Sequence, residues 1–100
     1  MTANLVSSIP TKPIPKPVID GNIPDLLKHH GRWVNWRYQW KGDKWTKPPF
    51  QPGGSFASST DSTTWSSYED CLNAYLDSDK DFDGIGIVLG GDTGLTAIDI

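Results

Sequence analysis

The stretch that most narrows what this chain can fold into is residues 82–100, which read FDGIGIVLGGDTGLTAIDI. Two short apolar runs, residues 85–89 and 95–100, flank Gly90, Gly91, Asp92, Thr93 and Gly94. β-Branched residues and leucine interrupted by that much glycine predict a tight antiparallel hairpin. The second run sets Asp99 between two isoleucines. An ionised carboxylate among apolar neighbours is costly to desolvate unless an arginine, a ring of amides or a metal ion compensates it. At a strand end, solvent or the next turn serves as well.

A second hairpin is written in the first half of the chain. Residues 32–40 alternate, with Val34, Trp36, Tyr38 and Trp40 on one face and Trp33, Asn35, Arg37 and Gln39 on the other, which predicts a half-buried strand. Gly42 and Asp43 form a natural two-residue turn that pairs Trp40 with Trp45 and sets Tyr38 opposite Lys47. The return strand ends at Pro48 and Pro49, since proline has no N–H for the ladder. This register gathers Arg37, Lys41 and Lys44 on the polar face with Gln39 and Thr46. Basic residues interleaved with aromatics neutralise phosphates and stack bases in single-stranded nucleic-acid grooves. Packed tryptophans with solvated lysines would give the same pattern. Lys47 falls at the end of the apolar face, where a lysine snorkels or meets an anion.

The charges are unevenly placed: residues 1–50 hold eight Lys and Arg against three acids, whereas residues 51–100 hold one lysine against nine acids. The basic half is suited to a polyanion. Four of these nine acids gather at residues 77–83 and read as a solvated helix end. Residues 1–20, with prolines at 10, 13, 15 and 17, predict an extended, mobile leader without packed structure. A short helix should follow, capped by Asn22, with Pro24 in its first turn and Gly31 as its stop. His29 and His30 then lie in the last turn, and adjacent histidines diverge on a helix and make a poor chelate. Residues 51–60 are a Gly/Ser loop and residues 61–65 a single helical turn. The main helix should be capped by Ser66 with Glu69 completing a capping box, and should bury Tyr68, Cys71, Leu72, Tyr75 and Leu76 in one stripe. The lone Cys71 has no partner for a disulfide or a zinc site, consistent with a reducing compartment, and reads as core filler. No apolar run is long enough for a membrane span, and no signal-peptide core is present, so a cytoplasmic protein is expected. The length and the 36% hydrophobic content allow one small α+β domain, antiparallel hairpins packed against a helix.

The run GIGIVLGGDTGLTAIDI, together with TKPPF at residues 46–50 and STDSTTWSSYEDCLNAY at residues 59–75, resembles the beginning of the primase-polymerase domain of phage and plasmid replication proteins, in the archaeo-eukaryotic primase superfamily. Order and spacing of the three pieces carry the resemblance, which covers roughly residues 23–100. It implies that Asp99 is the first carboxylate of an Asp-x-Asp metal motif whose second would fall at position 101. Aspartates two apart on a strand share a face and hold Mg2+ or Mn2+ through hard oxygen ligands. In two-metal sites such ions activate a primer hydroxyl and stabilise leaving pyrophosphate. Lys47 falls on the lysine of the family's TKxP-type run and is expected to contact a nucleotide or template phosphate.

The expectation from sequence is therefore a leader over residues 1–20, then the N-terminal part of a primase-polymerase domain over residues 21–100, cut inside its metal motif and inactive as it stands. The implied activity is template-directed nucleotidyl transfer in DNA replication in the cytoplasm of a bacterial host. Asp99 would serve as catalytic metal ligand, and Lys47, Arg37 and Lys44 as nucleotide- or DNA-binding residues. A DNA template and nucleoside triphosphates are the implied partners, with a downstream helicase domain or replication proteins, and no membrane. The alternative is a non-catalytic single-stranded nucleic-acid-binding module in which Asp99 is incidental. Asp92-Thr93-Gly94 spells the tripeptide of aspartic proteases, but glycines precede it and Leu95 follows where that loop needs hydrophobic residues and then a small one. Asp92 is therefore read as a turn residue.

Overall fold

The computed structural model describes residues 10–88 and the backbone of residues 97–99. The fold is α+β. Its elements are a one-turn helix α1 (Asp25–Lys28), strands β1 (Trp33–Trp36), β2 (Gln39–Trp40), β3 (Trp45–Thr46) and β4 (Pro49–Phe50), helix α2 (Tyr68–Leu76), and strands β5 (Gly84–Val88) and β6 (Ala97–Asp99). Four strands form an antiparallel sheet in the order β4–β1–β5–β6, and β2 and β3 form a separate two-stranded sheet.

The sequence pattern of β5, Gly84-Ile85-Gly86-Ile87-Val88, explains how the main sheet is covered. Side chains alternate along a strand, so Ile85 and Ile87 share the face on which α2 lies. There they join Trp33, Tyr68, Cys71 and Ile23 in a single buried cluster, with Val18, Leu27, Leu72 and Tyr75 packed at its margin. Trp33 is fully buried, meets Tyr68 edge-on at 4.9 Å between ring centroids, and donates its indole N–H to the Leu27 carbonyl at 3.0 Å. A buried tryptophan of this kind is worth about 3–5 kcal/mol against truncation to alanine. Asn35, the polar member of this face, donates Nδ2–H to the Cys71 carbonyl at 2.9 Å and so ties β1 to α2. Burial pushes the Cys71 thiol up to about 12, as suits the core filler expected of it.

Several sequence expectations shift by small, explicable amounts. The Ser66 backbone is engaged by Trp33, each N–H donating to the other's carbonyl at 2.9 and 2.8 Å, so Ser67 takes over as cap of α2 and accepts from the Asp70 N–H at 3.1 Å. The buried stripe of α2 turns accordingly: Ala74 is buried against Phe50 and Phe82, while Leu76 is 67% exposed. Asn22 closes a 3-10 turn (Asp20–Asn22), and Pro24 caps α1. The turn expected over residues 61–65 is a 3-10 turn (Ser62–Thr64) capped by the Asp61 carboxylate.

The larger correction concerns residues 32–40. They do not make one half-buried strand: all four residues of β1 are buried, because β1 lies inside the sheet between β4 and β5. Pairing stops at Arg37 because the Asp83 carboxylate takes the place of a ladder acceptor, receiving the Tyr38 N–H at 2.7 Å, while the Asp83 N–H donates to the Trp36 carbonyl at 2.9 Å. The second hairpin forms as read, with Trp40 opposite Trp45 and Gln39 opposite Thr46 around Gly42, whose φ of +97° is one that glycine adopts freely. The same register resumes in β4, where Pro49 pairs with Trp36 and Phe50 with Asn35, so the return strand does not end at Pro48 and Pro49 as expected; β4 sits at the sheet edge, where Pro49 is tolerated.

The leader also makes more contact than its composition predicts. Residues 10–19 hold no helix or strand, yet Lys12 reaches Asp83 at 2.9 Å and the Val18 N–H donates to the Tyr75 hydroxyl at 3.1 Å.

Candidate nucleotide and nucleic-acid site

The β5–β6 pairing sets Val88 opposite Ala97, Ile87 opposite Ile98 and Gly86 opposite Asp99, as the antiparallel reading of the last stretch requires. On the other side of β5, Gly86 pairs with Val34 and Gly84 with Trp36. Asp99 thus takes the register position in the row Val34–Gly86–Asp99, beside the row Trp36–Gly84. Both rows are counted on the sheet face away from α2. Gly90, Gly91, Asp92, Thr93 and Gly94, the turn and tripeptide residues of the sequence reading, lie outside the described residues.

Gly84 is required by what lies over it. A Cβ there would come within 2.6 Å of Cε2, Cζ2 and Nε1 of Trp36, so the indole lies flat against the strand backbone. Its N–H donates to the Ile85 carbonyl at 3.3 Å. Above that ring sits the Lys47 ammonium, 4.8 Å from the Trp36 centroid and 5.6 Å from that of Tyr38, whose ring stands edge-on to Trp36 at 5.1 Å. A cation so placed is held by the ring quadrupoles while it stays at the surface. Lys47 thus lies over Trp36, whose row adjoins the Val34–Gly86–Asp99 row, with β5 between the strands of Trp36 and Asp99.

Arg37 and Lys44 are not brought to this place. Arg37 lies over both Phe50 and Phe82, which pack on each other, its guanidinium carbon 4.4 and 4.7 Å from their centroids, and it donates to the Lys80 carbonyl at 3.1 Å. These contacts pin β4 and the segment before β5 together, which is a structural task and not the solvent-facing position expected on the polar face. Lys44 is exposed at the hairpin tip, where Lys41 N–H donates to its carbonyl at 2.9 Å.

The residue that sequence reading passed over is Asp83, which it counted among solvated acids. Asp83 is 8% exposed and bonded to both the Lys12 ammonium and the Tyr38 N–H. The usable signal was its position directly before the apolar run of β5, where a carboxylate needs compensation. With both oxygens engaged, Asp83 is not available as a ligand for a divalent ion. Among the described residues no three His, Cys, Asp or Glu side chains gather as a metal site. The donor type at position 99 suits Mg2+ or Mn2+.

Elsewhere, Tyr68 donates its hydroxyl to Asp20 at 2.6 Å, and Lys28 reaches the same carboxylate at 3.1 Å. Burial, followed by the Asp20 bond and charge, raises the phenol above its ordinary range, and the Tyr68 and Lys28 bonds lower Asp20. This network ties the segment before α1 to the start of α2. Among the described residues no helix is long and apolar enough to cross a membrane. Compared with known proteins, the sequence matches no protein-family model and no curated protein.

Proposed function

We propose that the chain is the N-terminal part of a DNA primase/polymerase domain, carrying out template-directed nucleotidyl transfer. The observation that supports this reading best is the β1–β5–β6 register. It sets Asp99 in the row adjoining that of Trp36, the tryptophan under the Lys47 ammonium, with β5 between their strands. Lys47 neutralises phosphate oxygens of a nucleotide or template, and Trp36 and Tyr38 hold its ammonium at the surface for that contact. Asp99 supplies one hard oxygen ligand; a bound Mg2+ or Mn2+ would stabilise charge on the transferring phosphoryl group and the departing pyrophosphate. Arg37 acts indirectly, by fixing Phe50 and Phe82.

The test is incorporation of labelled nucleotide onto a primed single-stranded template, with the protein expressed from its whole reading frame. Asp99→Ala is expected to abolish incorporation. Lys47→Ala is expected to cost about 10- to 100-fold in kcat/KM, the loss of one charge-assisted phosphate contact. Incorporation that survives Asp99→Ala would overturn the assignment. DNA binding without synthesis would favour the alternative, a non-catalytic binding module.

A further inference from the structure

We infer that the β2–β3 hairpin is a binding surface for single-stranded nucleic acid, separate from the row of Asp99 and independent of any chemistry there. Its two strands pair with each other and with no other described strand. Rings follow one another along it: Tyr38 stands edge-on to Trp45 at 6.4 Å, and Trp45 meets Trp40 edge-on at 5.5 Å. Tyr38, Trp40 and Trp45 are all half-buried, in contrast to Trp33 and Trp36, which the core absorbs. In an edge-to-face pair, the ring that presents its edge keeps both its faces clear of its partner. A run of large aromatics left partly in water and rimmed by polar residues marks an interaction surface.

The rim identifies the occupant. Lys41 and Lys44 are exposed at the tip, with Asp43 the only acid of the turn. Cations around aromatic rings complement a ligand that carries phosphates and free π-faces together. Single strands offer both, whereas a duplex hides its bases in the stack. An acidic peptide would use the lysines and leave the rings idle; a saccharide would use the rings and leave the lysines idle. A strand crossing the tip would lay bases on Trp40 and Trp45 and bring phosphates to Lys41 and Lys44, the next pair along, which project from the other face of the turn.

The test is fluorescence anisotropy of a labelled oligo-dT of roughly a dozen nucleotides, within the range of single-strand sites. It is run in EDTA, so that failure of a metal site has no bearing on the outcome. Binding should weaken with salt, and Trp40→Ala should weaken it about tenfold, the value of one stacked base. Trp40→Phe should retain most of the affinity. Exchanging both Lys41 and Lys44 for glutamine should lower the slope of log K against log salt by about 1.4, two single-strand phosphate contacts. Phe56→Ala, outside the hairpin, should bind as the parent does. If circular dichroism shows that Trp40→Ala unfolds the hairpin, the exposed lysine pair decides the matter. No binding of oligo-dT at low salt, equal affinity for a duplex of the same length, or indifference to the hairpin substitutions would overturn the inference.

Discussion

Adding one methyl group at Gly84 should be among the most damaging single changes available to this chain. The Cβ of alanine would sit 2.6 Å from three atoms of the Trp36 indole, a separation that real side chains essentially never adopt. The indole cannot yield freely. It is 6% exposed, its N–H is bonded to the Ile85 carbonyl, Tyr38 stands edge-on against it, and Lys47 lies over its face. Overpacking a closed site costs about 1–3 kcal/mol. Losing the indole hydrogen bond adds about 1 kcal/mol. Alanine recovers about 0.5–1 kcal/mol of the backbone entropy that glycine forfeits in a strand. Gly84→Ala is therefore expected to destabilise by about 2–3 kcal/mol, which for a domain of this size lowers Tm by roughly 10–20 °C. Urea unfolding followed by far-UV circular dichroism gives the free energy without relying on the tryptophans. The same substitution made in a Trp36→Val background should cost under about 1 kcal/mol, because the atoms it strikes are gone and the two changes are coupled. Equal costs in the two backgrounds, or an unchanged midpoint for Gly84→Ala alone, would refute the reasoning.

Two further outcomes follow from the buried polar contacts. Tyr68 has its folded pKa raised, so its contribution to stability is complete below the ordinary phenol value near 10 and declines as pH climbs toward the folded value. Urea midpoints should therefore fall above about pH 10, and Tyr68→Phe should flatten that part of the profile; a profile unchanged by the substitution would contradict the assignment. Asp83→Ala removes the acceptor of the Tyr38 N–H and should cost about 1–3 kcal/mol, whereas Lys12→Ala, whose side chain is 42% exposed, should cost under about 1 kcal/mol. Equal costs by urea unfolding would show that the ion pair, not the backbone bond, is what Asp83 supplies.

What was legible beforehand was local. Gly42 and Asp43 announce their turn, and that turn dictates that Trp40 meet Trp45, because a two-residue loop leaves one register. The spacing of apolar residues announces α2, although its cap moved by one residue once Ser66 was claimed by Trp33, a partner 33 positions away that no local pattern reveals. The pairing of β5 with β6 was legible from two apolar, β-branched runs separated by a glycine-rich stretch. The interior position of β1 was not, since alternating residues read as a half-buried strand until two neighbours and a helix are known to surround it. The surroundings of Arg37 were not legible, because the rings its guanidinium lies over come from residues 50 and 82, and in sequence it looks like any basic residue. At the candidate site, the Lys47 position followed from the register, while Asp83 was hidden by the acids around it.

The pairing of β1 with β5 also sets the order in which the molecule assembles. Asn35 meets Ile85, and every bond of that central pair closes a loop of about fifty residues, an entropic step that grows with loop length and slows folding. The β2–β3 hairpin closes over four residues and belongs to the microsecond regime. During synthesis the aromatic hairpin therefore takes shape while β1 still lacks its principal partner, and the core behind it is completed only when β5 arrives.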